Sequence, residues 1–404
     1  MQAVPVRTPE LSLSLEQAFP ARPRLHSVDL LRGLVMVLMA LDTVRAYFSP
    51  FRVEPAGLSE LSVDLFLTRW VTHLCAPVFV LLAGAGAYLA LANGVPRREQ
   101  ARFLAVRGLG LIVLELTVVR LLWTFHLTYA GQPLVLHAVA ALGVCMIALA
   151  GLLALPVTVV AGAGIAIIAG HNLLDGLDPA ALGGWGPVWR MLHLPGPVEL
   201  PGGISLVVIY PVLPWIGVIA VGYALGAVLS APAGIRRRTL VRLGVGLTLA
   251  FLVLRAWNGY GDPASWTIHT STRQSVLSFF DTTKYPPSLL FLLMTLGPAL
   301  LLLAAADAWR GVAGDVLALI GRVPLFYYVL HLGVIHALAL IIGTLAGFEP
   351  RAFLTAWPFL PRGWGYGLPV IFALWAAVVL TLYPACRWFA AVKAGHPDSW
   401  LRYL

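Results

Sequence analysis

The chain has 404 residues, of which 59% are hydrophobic and only 11% are charged, whereas about a quarter of the residues of an ordinary soluble domain are charged. This composition excludes a water-soluble globular protein and makes the lipid bilayer the expected solvent. The net charge of +9 does not indicate nucleic-acid binding, because the arginines lie in short clusters between apolar runs rather than along one polar face.

Apolar runs of the length that a bilayer requires, about 20 residues, recur along almost the whole chain. Read against Pro, Gly and polar breaks, they predict about ten transmembrane helices, near residues 29–49, 68–93, 101–125, 132–154, 156–171, 204–230, 237–257, 286–306, 314–345 and 366–392. The predicted fold class is all-α, a polytopic membrane bundle over residues 25–404. Residues 1–24 are predicted to be a disordered cytoplasmic tail.

Clusters of basic residues indicate how the helices are oriented, because loops that stay in the cytoplasm accumulate Lys and Arg. The clusters precede the first predicted helix and follow the second, the sixth and the last: Arg7, Arg22 and Arg24; Arg97, Arg98, Arg102 and Arg107; Arg236, Arg237, Arg238 and Arg242; and Arg387, Lys393 and Arg402. All four positions fall on one side of the membrane, so both termini are predicted to be cytoplasmic.

Two carboxylate–guanidinium pairs lie on the first predicted helix, each with the i, i+3 spacing that places both side chains on one face. Asp29 and Arg32 lie at its cytoplasmic end. They are either an interfacial ion pair or the entrance of a site that binds an anionic cofactor through arginine. Asp42 and Arg45 lie near the other end, where a charge is costly. They are either a structural pair or a pocket in which the carboxylate assists catalysis.

Other ionisable residues are candidates for a site near the extracytoplasmic ends of the helices. Arg69 and His73 share one helix face, and imidazole is suited to proton transfer near neutral pH. Lys284 lies in a proline-rich loop and could bind an anion, although an interfacial lysine is the alternative. His331 could face a cavity, but His336 projects about 140° away from it around the helix. No metal site is therefore predicted.

Five strings of the sequence resemble a known family. They are RLHSVDLLRGLVMVLMALD (24–42), TRWVTHLCAPVFVLLAG (68–84), HNLLDG (171–176), TKYPPSLLFLLMTLGPALL (283–301) and GRVPLFYYVLHL (321–332). Together they resemble the bacterial DUF1624 family, which is similar to the catalytic domain of heparan-alpha-glucosaminide N-acetyltransferase within the transmembrane acyltransferase superfamily. The resemblance extends over residues 24–404.

The resemblance implies an enzyme of the bacterial cytoplasmic membrane that moves an acyl group from cytosolic acetyl-CoA to an extracytoplasmic sugar. The first-helix motif matches at Asp29, Arg32, Gly33 and Asp42, and the second at His73 and Pro77. Most bacterial relatives read Asp-His where this chain reads Asp42-Thr43. The resemblance therefore leaves His73 or His331 as the catalytic histidine, or a member with altered or lost chemistry.

These observations lead to one prediction of function and two alternatives. The prediction is an acyl-CoA-dependent acyltransferase acting on an amino or hydroxyl group of an extracytoplasmic saccharide or lipid-linked glycan. Its catalytic residues are His73, Asp42 and His331, and Asp29, Arg32, Arg45, Arg69 and Lys284 bind donor or acceptor anions. The alternatives are a transporter or flippase and a non-catalytic membrane partner of a glycan-modifying system. Acetyl-CoA is the expected co-substrate, no nucleic acid or metal is expected, and a homodimer is compatible with this architecture.

Overall fold

The computed structural model describes residues 25–50, 62–129, 133–200, 202–355, 360–396 and 399–403. The predicted tail at residues 1–24 therefore lies outside the described residues. The first helices are α1 (His26–Phe48), α2 (Val63–Thr72), α3 (Cys75–Ala92), α4 (Arg97–Leu114), α5 (Arg120–Thr124), α6 (Ala138–Leu152), α7 (Val157–Gly170) and α8 (Gly186–His193). The others are α9 (Leu213–Leu229), α10 (Ala233–Trp257), α11 (Thr272–Phe280), α12 (Leu289–Ala306), α13 (Val312–Arg322), α14 (Pro324–Leu345) and α15 (Leu368–Gly395).

A helical membrane protein is confirmed by the length and composition of these helices. Six segments of the described chain are long and apolar enough to cross a membrane: Val63–Ala92, Val157–Leu174, Ala233–Trp257, Leu289–Ala306, Pro324–Leu345 and Leu368–Gly395. Helices α6 and α9 are apolar but shorter. Helices α1 and α4 carry several charges in and near their apolar runs. Each of the ten predicted segments thus overlaps a helix.

A small sheet corrects the prediction of a purely α-helical chain. Strands β1 (Leu134–Leu136), β2 (Gly196–Leu200) and β3 (Ile204–Val208) lie in the order β1-β3-β2, with β1 parallel and β2 antiparallel to β3. Strands β1 and β3 fall at the starts of the predicted helices 132–154 and 204–230. Apolar runs this short are compatible with either structure, and here lateral pairing satisfies their backbone groups.

One further prediction of secondary structure was wrong in detail. The segment 314–345 is not one helix, because Val323 leaves helical geometry and Pro324 begins a new one. Proline at a first helical position is favourable, whereas proline inside a helix removes a hydrogen bond. The long stretches 172–203 and 258–285, which lie between predicted helices, contain the short helices α8 and α11.

Helix α1 lies at the centre of the bundle and contacts α2, α3, α12, α13, α14 and α15. Its first half packs in a large apolar core formed around α3, α9 and α12, and its second half in another core with α14 and α15. Gly33 and Gly321 let α1 and α13 touch through their backbones, because a Cβ on Gly33 would collide with the Leu317 carbonyl and a Cβ on Gly321 with that of Asp29. Small residues commonly permit such close approach in membranes.

A buried carboxylate links α4 to α6. Helix α4 continues through a π-helical turn, Glu115–Val119, and Glu115 is only 2% exposed. Its Oε2 accepts hydrogen bonds from the backbone N–H groups of Val139 and Ala140 at 3.0 and 3.1 Å. These donors belong to the first turn of α6, which has no other side-chain cap, so Glu115 satisfies groups that would otherwise be orphaned in hydrocarbon.

Helices α4 and α6 provide a matched test of close helix packing. A Cβ on Gly108 would lie 2.5 Å from the Gly143 carbonyl oxygen, whereas a Cβ on Gly110, two residues further on and near the opposite face of the helix, would meet nothing within 4 Å. We expect Gly108→Ala to lower the free energy of unfolding by about 1–3 kcal/mol through overpacking. Gly110→Ala should leave it unchanged or raise it slightly. Thermal unfolding of both purified variants in detergent measures the difference, and equal stabilities would contradict the packing described.

Candidate active site

A cavity of about 1450 Å³ enters the bundle from the end where the arginine clusters gather, which we call the basic end. Its charged lining contains seven basic and two acidic side chains: Arg32, Arg98, Arg102, Arg107, Arg236, Arg322, Lys393, Asp29 and Glu99. Deeper in, the walls are mostly apolar and include Met36, Phe79, Val80, Leu104 and Leu111. The cavity thus combines a cationic mouth with an apolar interior.

Carboxylates hold part of the mouth in place. Arg32 donates a hydrogen bond to Asp29 at 3.3 Å and another to the Gly321 carbonyl at 3.4 Å. Arg322 lies 3.8 Å from the other oxygen of Asp29. Because Asp29 is shared by two guanidinium groups, the predicted interfacial pair is part of a larger network that keeps a positive excess.

Arg107 is one of several mouth residues that the sequence analysis used only to orient the helices. It lies on α4, one helical turn beyond Phe103, whose ring it approaches at 6.0 Å. Its Nε is buried and has no hydrogen-bond partner among the described residues. A buried guanidinium donor without a protein acceptor is costly unless an anion or water satisfies it, so Arg107 is well placed to bind an anionic ligand inside the cavity.

The far end of the cavity reaches the neighbourhood of the second charged pair on α1. Met39, Ala76 and Tyr210 line it. Met39 lies one helical turn before Asp42, and Ala76 is three residues after His73. The cavity lining therefore ends about one turn from the predicted catalytic residues.

Asp42 is the centre of the cluster at this opposite end. Its Oδ1 accepts hydrogen bonds from Arg45 at 2.6 Å and from the Thr72 hydroxyl at 3.1 Å. His73, the next residue, is 8% exposed, and its Nδ1 is buried with no partner among the residues described. Its ring lies 5.3 Å from that of Phe291. The arrangement holds a carboxylate firmly beside an imidazole that keeps an unengaged nitrogen.

Lys284 joins this cluster from the loop before α12. Burial alone would lower its pKa, but the nearby Tyr285 hydroxyl and Asp42 carboxylate raise the pKa of Lys284 above its ordinary value, so the amine is charged at neutral pH. Its Nζ lies 5.2 Å from the Tyr285 ring, and the Tyr285 hydroxyl lies 3.4 Å from that of Tyr210. Tyr210 thus connects the Lys284 loop to the cavity.

His331 occupies a different environment from His73. It is completely buried, with Nδ1 3.0 Å from the Tyr327 carbonyl and Nε2 3.1 Å from the Thr43 hydroxyl. A carbonyl can only accept, so Nδ1 carries the proton and the neutral ring accepts from Thr43 at Nε2. Both nitrogens are therefore engaged, Nδ1 within α14 and Nε2 between α14 and α1, which favours His73 over His331 as the proton acceptor.

The predicted site residues form two groups rather than one. Asp29 and Arg32 line the basic mouth, whereas Asp42, Arg45, His73 and Lys284 gather at the opposite end, with Arg69 close enough to His73 to influence its charge. From position 29 to position 45 the α1 axis rises roughly 24 Å. Sequence reasoning missed Tyr210 altogether, because a lone Tyr before an apolar helix carries no signal.

A scan against protein-family models adds an independent observation. The model described as heparan-alpha-glucosaminide N-acetyltransferase, catalytic, matches residues 24–254, more than half of the chain. The chain belongs to this family. The match covers α1 to most of α10 and so includes Asp42, His73 and Arg107. A search of the curated proteins found no match.

Membership of the heparan-alpha-glucosaminide N-acetyltransferase catalytic family confirms the resemblance identified in the sequence. The family indicates a membrane acetyltransferase, and the helical membrane architecture agrees with it. Lys284, His331 and the remainder of the Lys284 loop lie beyond the matched residues. Their assignment to the site rests on their position in the fold.

Proposed function

We propose that the protein transfers an acetyl group from acetyl-CoA, bound through the basic mouth, to an amino or hydroxyl group of a saccharide at the Asp42–His73 end. The observation that carries this proposal is the single cavity that leads from a cationic mouth through apolar walls to within about one turn of His73. The phosphates of CoA suit the arginines, and the uncharged pantetheine arm suits the interior.

At the opposite end His73 acts as the base, and the charged Asp42 lies near it. In the proposed step the acceptor nitrogen or oxygen bonds to the acetyl carbonyl carbon, and the carbon–sulfur bond of the thioester breaks. His73 removes the proton that the acceptor loses and returns it to the departing CoA sulfur. Asp42 acts through its position near His73, since Arg45 and Thr72 already occupy its Oδ1.

The charges around Asp42 favour an acceptor that carries negative charge. Two cationic groups, Arg45 and Lys284, face the Asp42 carboxylate, so this part of the cluster carries more positive than negative charge among the described residues. An acidic saccharide or a lipid-linked glycan with a phosphate would neutralise it. We infer that Arg45, Arg69 and Lys284 bind the acceptor, while the mouth arginines bind the donor.

The proposal includes ten membrane crossings, cytoplasmic termini and a basic end that faces the cytoplasm of a bacterium. Single-cysteine labelling tests this orientation with little background, because Cys75, Cys145 and Cys386 are all buried. We expect an impermeant maleimide to label Ser265→Cys, at an exposed position of the opposite end, in intact cells. Ala233→Cys, exposed beside the basic mouth, should react only after permeabilisation. The reverse pattern would contradict a cytosolic donor site.

Binding of radiolabelled acetyl-CoA to the purified protein tests the donor site. Removing a charged hydrogen bond costs about 1.5–3 kcal/mol, so Arg107→Gln should weaken binding by about 10- to 100-fold. Arg242→Gln is the matched control, because Arg242 is exposed on α10 and does not line the cavity. Unchanged affinity in Arg107→Gln, or no binding by the wild type, would refute the assignment of the cavity.

Acetyl transfer to a glucosaminide in proteoliposomes tests the role of His73. General-base catalysis contributes about 10²- to 10⁴-fold, so His73→Gln should lose that much rate while retaining acetyl-CoA binding. His269→Gln, which changes a loop histidine bonded to Thr267, should retain full rate.

Three outcomes of these measurements would contradict the proposal, and the last two of them would each favour one of the rival functions. Full rate in His73→Gln would end its assignment as base. Tight acetyl-CoA binding by the wild type without transfer to any amino or hydroxyl sugar would indicate a non-catalytic partner. Movement of acceptor across the membrane without acetylation would indicate a transporter.

A further inference from the structure

Three chelating side chains converge outside the cavity, where α7 and α8 end. His171 begins the short 3₁₀ turn His171–Leu174 that follows α7, Asp175 comes directly after it, and His193 is the last residue of α8. One ligand atom from each of the three lies within 4.8 Å of the other two. None of these residues has a role in the proposed acetyl transfer.

The two histidines are buried but poorly satisfied. His171 is 2% exposed and His193 is 0% exposed. Both nitrogens of His171 and the Nδ1 of His193 have no hydrogen-bond partner among the described residues. The Pro287 carbonyl lies beside His171 but does not complete a hydrogen bond. Burying three such nitrogens at one point is costly unless a group absent from the chain itself satisfies some of them.

The third side chain already points into the cluster and is held there. Asp175 Oδ1 lies 2.9 Å from His193 Nε2, and its Oδ2 accepts a hydrogen bond of 2.9 Å from Asn172. The same Asn172 side chain accepts from the backbone N–H of Leu289 at 2.9 Å. A carboxylate oriented by a second-sphere amide, beside two imidazoles, is the support that metal ligands commonly have.

We propose that His171, Asp175 and His193 bind a divalent transition-metal ion of the zinc class. Two imidazoles and one carboxylate form a ligand set that Zn²⁺ accepts, with water completing a tetrahedron, whereas Ca²⁺ and Mg²⁺ prefer oxygen ligands only. Ligands about 2.0–2.2 Å from zinc lie about 3.3–3.6 Å apart in a tetrahedron. The ligand atoms here lie within 4.8 Å of one another, so those furthest apart would move closer by about 1 Å on binding.

Such a metal would act on the Lys284 loop rather than on the acetyl group. Asn172 binds the backbone of Leu289 and His171 lies beside Pro287, so the ligand-bearing turn contacts the segment that follows Lys284. The metal would fix the turn to which that segment is attached. The prediction from sequence that the chain has no metal site would then be wrong, because it considered only histidines on one helix.

Metal binding by the full-length protein in detergent tests this inference without any measure of acetyl transfer. The protein, freed of any polyhistidine tag, is treated with a chelator and then titrated with Co²⁺, whose visible absorption is intense when four-coordinate. We expect uptake of about one equivalent, displacement by Zn²⁺ and a higher unfolding temperature with Zn²⁺ than without it. The metal content after desalting gives the stoichiometry independently.

Variants separate a metal site from a hydrogen-bonded trio. Asp175→Asn preserves the size of the side chain and should weaken Co²⁺ binding at least 10-fold, and His193→Ala should abolish it. His269→Ala removes a loop histidine outside the cluster and should still bind one equivalent. The proposal is refuted if the folded wild type takes up no Co²⁺ or Zn²⁺. It is also refuted if the folded Asp175→Asn protein, recognised by its unfolding transition without metal, binds both ions as the wild type does.

Discussion

Placing a charge in hydrocarbon is costly, and this constraint shapes the packing of the bundle around α1. Each charged side chain described on α1 has a charged or hydrogen-bonding partner. That helix carries one carboxylate–guanidinium pair near each end, and neither pair stands alone. Asp29 is shared between Arg32 and Arg322, and Asp42 between Arg45 and Thr72. These partners come from α2 and α13 as well as from α1, so satisfying the charges also brings the surrounding helices together.

The same pairing gives the bundle two ends of different character. At one end arginines outnumber carboxylates along the lining of an open cavity, and at the other Arg45 and Lys284 face the Asp42 carboxylate. Between them the walls are largely apolar. A ligand with a polyanionic head and a thin uncharged arm fits such a gradient better than a uniformly charged or a compact one does. In the proposed reaction, the separation of the ends would keep the groups that bind donor and acceptor from competing for the same charges.

Much of the fold could be predicted from sequence because apolar length is a strong signal in membranes. Each predicted span overlaps a helix, yet the strands at Leu134–Leu136 and Ile204–Val208 lie within predicted helices, because periodicity cannot distinguish a strand from a helix in so short an apolar run. The break at Pro324 was missed because the apolar run continues through it.

The candidate site was predictable only in part. Asp42 and His73 could be placed near one another because consecutive antiparallel helices put them at the same end. The structure was needed to show that the predicted anion-binding residues divide between two ends of the bundle. It was also needed to identify Arg107, because the sequence does not reveal that its Nε is buried without a hydrogen-bond partner among the described residues. The pairing of His331 with Thr43, 288 positions apart, has no local signal in the chain.

That pairing has a consequence for how the family can diverge. The Thr43 hydroxyl fits between the Met39 carbonyl and the His331 ring, at 3.1 Å from each. A larger side chain at position 43 would press against the His331 ring, and a smaller residue at 331 would leave a cavity beside the hydroxyl, which would keep only the Met39 carbonyl as acceptor. The two positions therefore constrain one another across 288 residues of chain, so we expect an exchange at one of them to require a compensating exchange at the other.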